Sequence, residues 1–121
     1  MFNYLLLSTA LTLLLTIMGG FIFWKIPPRK INNIYGYRTT MSQKNQDTWN
    51  YAHTYFGKHA VICGIVIFIF AIFTILALKN TSIFDILGYI IIAVQAAIPV
   101  IITFLTEWAL RKKFTKTGQR I

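Results

Sequence analysis

Acidic side chains are nearly missing from this sequence: Asp47, Asp85 and Glu107 are its only carboxylates, and they fall in different segments. No pair of acids can therefore be assembled for general acid–base work. Cysteine occurs once, at Cys63, which excludes an internal disulfide, and no Cys/His spacing suggests a zinc site. There is no glycine-rich phosphate loop, and no motif sets a Ser or Cys beside a His. The expectation is a protein that is not an enzyme, with no catalytic residues, metal or cofactor. Charge is scarce as a whole: 12% of residues are charged, about half of what a soluble domain carries.

What is abundant is apolar: 56% of residues are hydrophobic, gathered in the blocks Phe2–Trp24, Ala60–Leu78 and Ile83–Ala109. Each reaches the run of about 20 residues that a helix needs to cross a hydrocarbon core about 30 Å thick. None alternates with period two, as a barrel strand would, so helices that satisfy their own backbone hydrogen bonds are expected. The first block lacks a basic leader and a small-residue cleavage site, and Lys25, Pro27, Pro28, Arg29 and Lys30 follow it. It therefore reads as a membrane helix and not as a signal peptide. The expected fold is all-α: spans over 2–26, 59–78 and 83–109, a loop over 27–58, and a basic tail over 110–121, forming a single membrane domain.

The net charge of +9 is placed asymmetrically. Lys25, Arg29, Lys30, Arg38, Lys44 and Lys58 lie in or beside the first loop, and Arg111, Lys112, Lys113, Lys116 and Arg120 fill the tail. The other connection holds only Lys79. Positive charge stays cytoplasmic, which puts the N-terminus outside and the first loop and tail inside. The basicity is then topological, with attraction to anionic membrane lipids, and no nucleic-acid partner is expected. Gly19-Gly20 in the first span and Gln95 in the third offer helix–helix contact surfaces, and a homo-oligomer is expected. A polar group such as Gln95 must pair in mid-membrane, by packing or along a solute path. Pro99 frees a carbonyl close to it.

Most of the specific chemistry lies between Pro27 and Lys58. Asn32-Asn33 and Gly36 mark turns, and Ser42 suits a helix N-cap with Asp47 in the first turn. A short cytoplasmic helix is expected from there to Phe56. Trp49, Ala52, His53 and Phe56 share one face of it, laid at headgroup depth, before Gly57 allows a bend or a close contact. His53 titrates near neutral pH; it reads as a proton acceptor or ligand, or as a hydrogen-bonded structural group at the headgroup boundary. Arg38, after Gly36-Tyr37 and before Thr39, suits a phosphate or carboxylate. That anion is a lipid headgroup, a peptide C-terminus, or the protein's own Glu107 or Asp47. Asn33 and Asn45 suit turn and helix caps.

Asn33-Ile-Tyr-Gly36-Tyr-Arg38-Thr39, followed by Ser42, Asn45, Trp49, His53 and Gly57-Lys58, resembles the signature of the SdpI family of small bacterial membrane proteins. Ile34 stands where that signature has proline. The resemblance implies a protein of the bacterial cell membrane giving immunity to a secreted toxic peptide, with the loop as functional centre. Arg38 and Trp49 would then contact the ligand and His53 would tune or bind it. The alternatives are a small transporter or lipid-handling protein gripping an anionic headgroup at Arg38, and a helper subunit of a larger membrane complex.

Overall fold

The computed structural model describes residues 2–121. Among these, three helices run in sequence: α1, Phe2–Lys25; α2, Gln46–Leu78; and α3, Phe84–Lys113. All three are long and apolar enough to cross a membrane. The described residues contain no strand, only an isolated bridge between Phe114 and Arg120 in the tail. Pro27-Pro28 follow α1 one residue after its end, as expected where amide donors are missing.

The separate interfacial helix does not exist. Residues 46–58 are the first turns of α2, which continues unbroken into the second span. Gly57 does not bend the chain; it is buried against the backbone of α1. At 1.5 Å per residue, a helix of 33 residues is about 50 Å long, some 20 Å more than a hydrocarbon core. The surplus stands beyond the second span as a stalk. Ser42 is not the N-cap either; Asn45 is, three residues later.

Three buried layers hold the bundle. Leu5, Ile75 and Phe84 close one end, and Leu13, Ala60, Ile98 and Ile102 fill the middle. Tyr37, Ala52, Leu110 and Phe114 close the other end, where the loop and the tail join the helices. Most large side chains elsewhere, such as Leu15, Phe70, Phe73 and Phe104, are exposed on the single chain. That surface faces acyl chains, which are as apolar as leucine and leave little drive to bury it.

Gln95 finds its partner inside the chain: its Nε2 donates to Thr9 Oγ1 of α1 at 2.6 Å, and both side chains are buried. Interhelical hydrogen bonds of this kind contribute only about 0.6 kcal/mol on average in membrane proteins. Gln95→Leu should therefore lower stability by less than about 1 kcal/mol, read from reversible unfolding in mixed micelles. A loss of several kcal/mol would mean that the pair sets where α1 and α3 meet.

Candidate functional site

The stalk of α2 begins with a reciprocal cap. The Asn45 side chain accepts from the Thr48 amide at 2.9 Å, and Thr48 Oγ1 accepts from the Asn45 amide at 3.1 Å. Capping of this kind satisfies amides that the first helical turn leaves without partners. Thr48 Oγ1 also donates to the Ser42 carbonyl at 3.0 Å. Ser42 in turn knots the loop: its hydroxyl donates to the Tyr37 carbonyl at 2.9 Å and accepts from the Thr39 amide at 2.8 Å. The Thr39 hydroxyl accepts from the Ser42 amide. Asn32 makes a tighter turn upstream, its Oδ1 accepting from the amides of Ile34 and Tyr35.

His53 is the hub of the loop. Its Nε2 accepts the Tyr37 amide at 2.9 Å, and its Nδ1 lies 2.8 Å from the Trp49 carbonyl one turn back. An acceptor at Nε2 and a carbonyl at Nδ1 define the neutral ring with its proton on Nδ1. Phe23 of α1 meets it edge-on, with centroids 5.1 Å apart, and the Trp49 ring lies 4.4 Å away. Burial in this apolar box lowers the His53 pKa from its ordinary value; the bond to Trp49 opposes that in part. Gly36 makes the geometry possible. It adopts φ +120°, and a Cβ there would fall 2.8 Å from His53 Nε2. Such a backbone favours glycine, and only a bare Cα lets the Tyr37 amide come this close. Trp49 closes the other side by donating its indole N–H to the Pro28 carbonyl at 2.7 Å.

The face expected to lie among headgroups is thus turned inward, with Trp49, Ala52 and His53 fully buried. The loop, Phe23 and the end of α3 cover it. Tyr37 carries the connection onward: its hydroxyl donates to Glu107 Oε1 of α3 at 2.7 Å. Burial and the adjacent Glu107 push that hydroxyl far above the usual phenol range, so it remains a donor at any physiological pH. Glu107 is therefore a partner of Tyr37 and not of Arg38. Asp47 pairs with Arg120 of the tail at 2.8 Å, and Asn45 Nδ2 donates to the Gly118 carbonyl at 2.6 Å. The tail is folded back on the loop by these contacts.

Gly36, Tyr37, Thr39, Asn45, Trp49, His53 and Glu107 belong to this one network. Asn33 and Arg38 sit on its exposed outer edge, where the Arg38 guanidinium bonds the Asn33 carbonyl. Gln95 is remote, within the bundle. Beside the network opens a cleft of about 790 Å³, lined by Thr39, Thr40, Met41, Lys44, Glu107, Arg111, Phe114 and Lys116. Sequence reasoning took Ser42 as a helix cap and not as the knot of the loop, and passed over Thr48 in the network and Lys44, Arg111 and Lys116 in the cleft. The spacing of Arg111, four after Glu107, is the one signal that places a base and an acid on the same helical face. No group of three or more metal-ligating side chains occurs among the described residues.

Three spanning helices with a loop clamped over an extended central stalk define a small multi-pass membrane protein. The chain belongs to the SdpI/YfhL protein family, whose model matches residues 29–106. Over 53 residues it is 40% identical to "Uncharacterized protein YfhL" of Bacillus subtilis (strain 168), a match covering 44% of this chain and 48% of that protein. The match thus spans about half the length of the curated relative. No solved structure matches.

Proposed function

We propose that this protein resides in the bacterial plasma membrane, N-terminus outside and tail in the cytoplasm, and protects that membrane against a secreted membrane-active peptide. Family membership supports an SdpI-like protein, and protection is what that likeness implies. The observation that carries the reading is the bracing of the loop. A mere connector between two spans needs no buried histidine, no buried tryptophan and no positive-φ glycine, yet residues 26–45 are fastened by all three. The bracing fixes one surface, on which Arg38, Asn33, Ile34 and Tyr35 stand exposed. Those residues are the contact surface in this proposal, and the protein works as a homo-oligomer.

The test is survival of a sensitive bacterial host exposed to membrane-active peptides from related strains. Expression should raise survival, and Arg38→Ala, which breaks no buried contact, should abolish most of the gain at unchanged protein level. Full protection by both Arg38→Ala and His53→Ala variants would remove the loop from the mechanism. No protection by the intact protein against any such peptide would remove the function itself.

A further inference from the structure

The cleft beside the loop has a chemistry that the protective role does not use. Three exposed cations, Lys44, Arg111 and Lys116, stand on its walls beside Thr39 and Thr40. Its one acid, Glu107, has an oxygen occupied by the Tyr37 hydroxyl, so the cleft as a whole is positive. Its depth relative to the bilayer is marked by Trp108, exposed on α3 with Lys112 Nζ 4.0 Å over its ring. Tryptophan and lysine side by side are the usual occupants of the headgroup layer. Glu107 and Arg111 flank that level on the same helix.

Below the cleft, Pro99, Thr103, Glu107 and Arg111 recur every four residues along α3, within about a third of its circumference. Glu107 and Arg111 line the cleft; Pro99 lines an apolar crevice of about 190 Å³ where α1, α2 and α3 meet. Gly19, Gly20, Phe23 and Phe56 form much of the rest of that crevice. One face of one helix thus runs from an apolar slot at membrane depth to a cationic cleft at headgroup depth.

We infer that this face holds an anionic phospholipid, its phosphate among Lys44, Arg111 and Lys116 and an acyl chain directed along α3 toward the crevice. The proposal is independent of the protective role. Arg111 supplies a planar fork suited to phosphate oxygens, and the two lysines supply point charges.

The experiment is native mass spectrometry of the full chain released from micelles holding equal phosphatidylglycerol and phosphatidylcholine. The intact protein should retain phosphatidylglycerol selectively. Arg111→Ala should weaken retention about fivefold, the effect of one basic residue near an anionic surface. Lys113→Ala, on the same helix but outside the cleft, should leave it unchanged. Equal weakening by the two variants would mean diffuse surface attraction and would overturn the site. Displacement of the lipid by millimolar glycerol phosphate would identify a soluble phosphate ester as the occupant and overturn the lipid. Gly19→Leu, which fills the crevice, should weaken retention of dioleoyl but not dihexanoyl phosphatidylglycerol; an equal effect on both would overturn the acyl path.

Discussion

Gly57→Ala should destabilise the protein by about 3 kcal/mol, the upper part of the range for overpacking a tight contact. A Cβ at Gly57 would run into the Gly20 carbonyl and the Trp24 amide, and would sit 2.9 Å from the Trp24 Cα. These are main-chain atoms, so no rotamer change relieves the collision and α1 must move away from α2. The damage would not stay local. Phe23 lies one residue before Trp24 and supplies the edge-on ring against His53, so lifting α1 also uncovers the hub of the loop. Gly19→Ala is the matched control: nothing lies within 4 Å of a Cβ there, and alanine is the better helix former. It should be neutral or slightly stabilising. Unfolding in mixed micelles, followed by circular dichroism, reads both variants. Equal stability of the two would show that α1 and α2 do not approach this closely in the membrane.

Gly57 also shows what is legible in such a sequence. The three spans can be read directly, because lipid demands long apolar runs and admits little else. Gly57 misleads, since a glycine between an amphipathic turn and an apolar run looks like a break. Here it is required by a second helix, at Gly20 and Trp24 far upstream in sequence, which local pattern does not reveal. The face of Trp49, Ala52, His53 and Phe56 is likewise visible from its spacing, but periodicity identifies a face without saying what covers it. The cover is the loop just upstream, folded back through Gly36 and Tyr37.

The network is legible in its residue types and not in its pairings. Asn45, Trp49 and His53 stand out, whereas Arg38 draws attention as the partner of Glu107 or Asp47. Those acids are taken by Tyr37 and Arg120. Both pairings join segments some seventy residues apart, and nothing local distinguishes a tyrosine from an arginine as the donor. The cleft is the least legible feature, since Lys44, Arg111 and Lys116 look like ordinary topological charge until the tail folds onto the loop.

Acidification should loosen the loop, and His53→Ala should both loosen it and remove that pH dependence. In the folded protein the Nε2 of neutral His53 accepts a buried amide from Tyr37; a protonated ring would present a donor to that donor. Burial lowers its pKa from the ordinary 6.5, and its neighbours Phe23, Trp49 and Tyr37 carry no charge to offset a proton. Well above pH 6.5 neither the closed nor the opened loop protonates this ring, and its contribution is complete. As pH falls from there toward the lower folded value, the opened loop takes up a proton that the closed one refuses. Closure then weakens by up to about 1.4 kcal/mol per pH unit, and stops weakening once the closed form protonates too. In His53→Ala the Tyr37 amide loses its acceptor, costing about 1–3 kcal/mol, and the void among the rings adds to that. Hydrogen exchange at the Tyr37 amide, corrected for intrinsic rates at pH 7.5 and 5.5, measures both effects. Protection in the native protein should fall on acidification, while the variant should be weakly protected and equal at the two pH values. If both chains lost protection by the same factor, a different group would be titrating, and the loop would owe its closure to Ser42 and Trp49 and not to the histidine beneath it.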